Sequence, residues 1–134
     1  MDKENQTILI IDDDFFFARY LARIIQENIQ IKVEIKVDPH EAIKYLNDNI
    51  PALIILDMML PKMDGLTFLR NLRSNETTQN VPVIVCSALG NQQTVGESVK
   101  LNIAGYIVKP TNQSIVIEKV SSALSMIENQ NQSK

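Results

Sequence analysis

"TILIIDDDFFF", residues 7–17, runs five β-favouring residues into three aspartates and then three phenylalanines. A short run that is apolar after Thr7 reads as a strand buried on both faces, as in a parallel sheet covered by helices on each side. The aspartates fall where that strand ends. Two carboxylates held ~5 Å apart at an effective dielectric of about 20 cost each other about 3 kcal/mol. A chain that keeps Asp12, Asp13 and Asp14 together therefore needs something to offset the repulsion. Asp14, directly ahead of a helical segment, is expected to be an N-cap. Asp12 and Asp13 are left to explain.

The same texture recurs along the chain. β-branched runs occur at 7–11, 31–37, 52–56, 81–86 and 105–108. Between them apolar residues recur at helical spacing: Ala18, Leu21, Ala22 and Ile25; Ala42, Ile43 and Leu46; Leu66, Leu69 and Leu72; Ile117, Val120, Leu124 and Ile127. The second helix has a start signal in Asp38, Pro39 and Glu41. Strand and helix alternate five times, which predicts an α/β fold: a (βα)5, doubly wound, parallel five-stranded sheet. "IKVEIKV" (31–37) alternates strictly, with Lys32, Glu34 and Lys36 on one face, as suits an edge strand. A second strand at the edge fits the flavodoxin-like order 2-1-3-4-5, for which flavodoxin and a chemotaxis receiver are the standing examples.

Composition narrows the function classes. The chain has 134 residues, 45% hydrophobic, with a net charge of −3. That suits one domain, expected over residues 1–128, with a disordered polar tail at 129–134. No basic patch points to nucleic acid, and no apolar run reaches the ~20 residues of a spanning helix. "MDKENQ" does not read as a signal peptide, so a cytoplasmic location without membrane contact is expected. The single cysteine, Cys86, lies in an apolar run and reads as core. The single histidine, His40, falls in the exposed first turn of the second helix. The three phenylalanines point in different directions at helical spacing, so one or two are expected in the core and another exposed near the acidic site, with packing preferred to partner docking.

In open parallel sheets ligands bind beyond the carboxyl ends of the strands. The first strand ends in Asp12 and Asp13, the third in Asp57, the fourth in Ser87 and the fifth in Lys109. Carboxylates without cysteine or histidine partners suit a hard, oxygen-bound cation such as Mg2+, which would offset their repulsion. A lysine and a hydroxyl beside the ion are what a phosphoryl group needs.

With these residues in place the chain resembles the receiver (CheY-like) domain of bacterial two-component response regulators, over about residues 6–128. The resemblance is carried by "ILIIDDD" (8–14), "LIILDMMLPKMDG" (53–65), "VIVCSA" (83–88) and "GYIVKP" (105–110). It implies that Asp57 is the phosphoacceptor, that Asp13 ligates the metal directly and Asp12 through water, and that Met59 contributes its backbone carbonyl. It implies Mg2+, with Mn2+ as a substitute. Ser87 and Lys109 would bind the phosphoryl group, Ser87 and Tyr106 would act as the switch, and the bond before Pro110 would be cis. The implied donor is a sensor histidine kinase or a histidine phosphotransfer protein, with acetyl phosphate as a small substitute. The reader would be a downstream protein target or an output domain, reached through the surface of the fourth helix, fifth strand and fifth helix. No helix-turn-helix or cyclase motif is legible after residue 128. The domain would be a signalling phosphoacceptor, not an enzyme, and would not itself touch nucleic acid. Met59 and Leu89 would flank the hydrolytic water, and neither can hydrogen-bond it well, so a long-lived phosphoaspartate is expected.

Three positions depart from the family pattern. Asn102 stands where glycine is usual, Thr111 where phenylalanine is frequent, and Gly96 lies inside the expected fourth helix, which should soften it. Two rival readings are weaker. "IIDDDFF" is similar to the D-x-D opening of haloacid-dehalogenase-type phosphatases, but Phe16 does not fit, no acidic pair follows Lys109, and Asp57 would be unexplained. A pseudo-receiver that works without phosphorylation would be expected to lack Asp57 or Lys109, and both are present. A nucleotide-binding reading lacks any glycine-rich phosphate loop.

Overall fold

The computed structural model describes residues 6–60, 62–88 and 92–132. Five strands alternate with five helices: β1 Thr7–Ile11, α1 Phe15–Asn28, β2 Lys32–Lys36, α2 Pro39–Asp48, β3 Leu53–Asp57, α3 Gly65–Ser74, β4 Val83–Ala88, α4 Gln92–Val99, β5 Gly105–Lys109 and α5 Gln113–Gln132. The strands form one sheet in the order β2-β1-β3-β4-β5, every pair parallel. Fold class and strand order are as the sequence predicts.

The period-2 alternation of side chains divides the core into two layers. Ile8, Ile10, Leu53, Ile55, Ile84, Cys86 and Ile107 face α1 and α5, where Leu21, Ile25, Val116 and Val120 meet them. Leu9, Ile11, Ile54, Leu56, Val83 and Val85 face α2 and α3, against Ala42, Leu46, Phe68, Leu69 and Leu72. β1 and β3 are apolar on both faces because both faces are covered. β2 is the edge: Lys32 is exposed, and Lys36 pairs with Glu34 at 3.5 Å while its ammonium lies 5.5 Å from the Tyr45 ring centroid on α2. Cys86 is core, and burial pushes its thiol pKa up to about 12, so it is not a thiolate nucleophile.

Helix starts follow local chemistry. Asp14, Asp38 and Asp64 are extended N-caps that accept from Phe17 N, His40 N and Thr67 N. Asn102 adopts φ 62°, the left-handed conformation an asparagine tolerates, after the last turn of α4. The Lys109–Pro110 bond is cis. Bounds of β2 to β5 and of the C-terminal helix differ from the sequence reading, and two of the differences have a plain cause. β4 begins at Val83, not Val81, because Pro82 has no N–H to give the ladder; its carbonyl still accepts from Ile54 N at 3.0 Å. α5 continues through Gln132, so residues 129–132, expected as disordered tail, are helical; "ENQNQ" contains neither glycine nor proline to stop a helix. No described helix is long and apolar enough to cross a membrane.

Candidate functional site

The carboxyl ends of β1, β3 and β5 deliver three charged side chains to one place. β1 stops at Ile11, and Asp12 continues its line, its N–H donating to Lys36 O on β2 at 3.1 Å. Asp57 is the last residue of β3, and the next N–H, of Met58, donates to Cys86 O on β4 at 3.0 Å. Lys109 is the last residue of β5. Its Nζ donates to Asp12 Oδ2 at 2.9 Å and lies 3.3 Å from Asp57 Oδ2. The ammonium thus spans β4 to join two strands that are not its neighbours. Asp13 lies beside them on the solvent side, and carboxylate oxygens of Asp12, Asp13 and Asp57 fall within 4.8 Å of one another.

The local backbone holds each carboxylate. Asp12 Oδ1 accepts from Asp14 N at 2.9 Å while Oδ2 holds Lys109. Asp57 Oδ1 accepts from Met59 N at 3.1 Å. The loop after β3 folds back tightly: Gly65 N donates to Met58 O at 3.0 Å, and a Cβ on Gly65 would lie 2.5 Å from Met58 Cα and 2.8 Å from Asp57 O. Only glycine permits that approach, which fixes the backbone carrying Asp57. Lys62 closes the same loop onto the start of α2 through Asp38 at 2.9 Å, and the pairing draws the Asp38 carboxyl below its ordinary pKa.

Charge and burial are in tension here. Asp12 is 2% exposed, and burial raises its pKa from 3.8 to about 6; the Asp57 charge pushes the same way, against the pull of Lys109 and the Asp14 N–H. Burial works to lower the Lys109 pKa, but its hydrogen bond to Asp12 and the two carboxylate charges outweigh that and hold it above the ordinary lysine value. Three carboxylates face one ammonium. An all-oxygen donor set of this charge, partly withdrawn from water, fits a hard divalent cation. The fit rests on donor chemistry and on the oxygen spacing.

The remaining candidates are placed as follows. Ser87 is buried in β4, one residue beyond the Asp57–Cys86 register pair, and its hydroxyl donates to Ala88 O at 3.3 Å. Tyr106 is half-exposed, with the Lys119 ammonium of α5 5.8 Å from its ring centroid, so the ring lies outward. The Met59 side chain is 66% exposed. Leu89 lies outside the described residues. Asp14 caps α1 and is not among the clustered carboxylates. The phenylalanines divide: Phe17 packs on the α1/α5 layer, while Phe15 and Phe16 are exposed. Sequence reading missed one neighbour of the site, the Phe17 ring, whose centroid lies 4.5 Å from Lys109 Nζ. No local pattern signals that contact, because the partners are 92 positions apart.

Comparisons with known proteins give the family and the fold. A family model described as "Response regulator receiver domain" matches residues 8–121. The chain is 29% identical over 119 residues to chemotaxis protein CheY of Treponema pallidum, covering 87% of this chain and 81% of that one. It is 37% identical over 90 residues to a protein-glutamate methylesterase/protein-glutamine glutaminase of Rhodopseudomonas palustris, covering 66% of this chain but 24% of that longer protein. Among solved structures, the receiver domain of the Francisella response regulator 1452 superposes with a TM-score of 0.81 at 30% identity, over 92% of this chain and 99% of that one.

Proposed function

The chain belongs to the response regulator receiver domain family, and from that premise we propose that it accepts a phosphoryl group on Asp57 from a phosphohistidine of a sensor histidine kinase or phosphotransfer protein. The observation that carries this reading is the convergence of Asp12, Asp57 and Lys109 from three strands on one point. A carboxylate oxygen of Asp57 forms the new O–P bond as the P–N bond to the donor imidazole breaks, the electron pair leaving on nitrogen. Asp12, Asp13, Asp57 and the Met59 carbonyl would hold Mg2+, which neutralises charge on the phosphoryl oxygens when bound. Met59 N–H fixes the rotamer of Asp57 by holding Oδ1. Lys109, already 3.3 Å from Asp57 Oδ2, is placed to pair with a phosphoryl oxygen once one is attached there.

Ser87 would supply the hydroxyl to the same group, and Tyr106, now outward against Lys119, would turn as Ser87 moves. The surface of α4, β5 and α5 then differs between the two states, and a protein target or attached output domain that prefers one of them reads the difference. On this reading the domain is a signalling phosphoacceptor and turns over no substrate beyond its own phosphoaspartate.

Incubation with acetyl phosphate and Mg2+ tests the reading. The expected result is a mass gain of one phosphoryl group that disappears with EDTA and in Asp57→Asn. No gain in the wild-type chain would overturn it, and a label carried by Asp12 would turn the reading toward a phosphatase-like site.

A further inference from the structure

Lys109 Nζ has three close neighbours, two of them carboxylates: Asp12 Oδ2 at 2.9 Å, Asp57 Oδ2 at 3.3 Å and the Phe17 ring centroid at 4.5 Å. The ring distance is well inside the ~6 Å at which an ammonium is attracted by an aromatic face. Phe17 is itself held from two sides. Its backbone N–H donates to the Asp14 cap at 3.1 Å, and its ring packs on the α1/α5 layer and lies 6.1 Å from the Tyr20 ring. Its neighbours in sequence are placed differently, since Phe16 is 85% exposed. The third aspartate and the third phenylalanine therefore form one device: Asp14 caps the helix, the cap fixes Phe17, and Phe17 presents its ring to the lysine.

We propose that Phe17 is a positioning residue for phosphoryl transfer: its ring holds the Lys109 ammonium in the acidic cluster when the carboxylates are engaged elsewhere. The inference rests on the reading of Asp57 as phosphoacceptor. Lysine carries a point charge on a flexible four-carbon stem, so its location depends on what surrounds the charge. The two carboxylates are the groups a divalent cation would share, and charge drawn toward the cation weakens their hold on the ammonium. The phenyl face ligates no hard cation and keeps its attraction. Lys109 then stays within reach of Asp57 when a phosphoryl group arrives.

The test compares the full chain with Phe17→Leu, Phe17→Tyr and pentafluorophenylalanine at position 17, which keeps the ring's shape but inverts its quadrupole. Acetyl phosphate labelling of Asp57 gives the rate. The ring-current shift of the Lys109 ε-methylene protons, read by NMR without divalent ions, gives the placement. The fluorinated ring should diminish the ring-current shift as the ammonium leaves its face, and both it and Phe17→Leu should slow labelling by roughly threefold to thirtyfold. Phe17→Tyr should preserve both readouts. Labelling at the wild-type rate in the leucine and fluorinated variants would overturn the inference alone. Absence of label in the wild-type chain would overturn the phosphoacceptor reading and the inference with it. Should Phe17→Leu fail to fold, the fluorinated ring decides the outcome.

Discussion

Replacing Asp12 by asparagine should stabilise the metal-free protein at neutral pH. The Asp12 carboxyl, 2% exposed, releases its proton at about pH 6 in the folded chain against 3.8 as its ordinary value. Between these values the folded state binds the extra proton. The contribution of Asp12 to stability is therefore fully present below about pH 3.8 and is lost as pH rises through 6. Burial thus outweighs the attraction of Lys109, and the ionised carboxylate is held at a cost on the order of a few kcal/mol at pH 7.5. Asparagine keeps the shape and the acceptor for Asp14 N–H, and Lys109 keeps Asp57. Asp12→Asn should then gain about 2–3 kcal/mol in EDTA at pH 7.5, roughly 5–10 °C in melting temperature for a domain of this size. The gain should close toward pH 4, where the wild-type group is protonated. Saturating Mg2+ should narrow or reverse it, because the wild-type site binds the ion more tightly. Thermal melts across pH, with and without the ion, measure all three. An asparagine variant melting at or below wild type in EDTA at pH 7.5, or a gap undiminished at pH 4, would refute the claim that Asp12 is held at a cost.

Gly65→Ala should lose about 2–3 kcal/mol in urea unfolding and slow Asp57 labelling, because its Cβ would press on Met58 Cα and Asp57 O. Gly96→Ala, exposed and with nothing within 4 Å of the added Cβ, should gain about 0.5–1 kcal/mol and raise amide protection in α4. Arg73→Met should cost about 3 kcal/mol, read by the same unfolding assay, since the guanidinium serves the carbonyls of Leu101, Gln79, Val81 and Asn102. Met59→Asn with Leu89→Glu should shorten the phosphoaspartate lifetime about tenfold in a decay assay, the worth of one good hydrogen bond to the attacking water.

Legibility followed the range of the forces involved. β1 and β3 could be read because burial on both faces leaves an unbroken apolar run, and β2 because an exposed edge leaves an alternating one. Asp12, Asp13, Asp57 and Lys109 could be read because parallel strands place all their ends on one side. The Asp38–Pro39 start could be read because a cap is local. Contacts between distant segments left no such trace. Lys62 to Asp38, Arg73 to Leu101 and Phe17 to Lys109 join positions 24, 28 and 92 apart, and nothing local to either partner names the other. The phenylalanine triplet divides as its three directions predict, Phe17 on the core and Phe15 and Phe16 exposed, but periodicity does not say what each ring meets.

Arg73 has a mechanical consequence for the whole molecule. Its four carbonyl partners lie just before β4 and just after α4, at the end of the sheet away from Asp57. One cation thereby rivets the base of the fold, and the trailing end of α4 is moored to it through Leu101 and Asn102. If α4 swings as the proposed switch requires, its fulcrum would be at that base and its greatest travel at Gln92, the end that follows the strand carrying Ser87. The lever would then be longest beside the aspartate proposed to take the phosphoryl group.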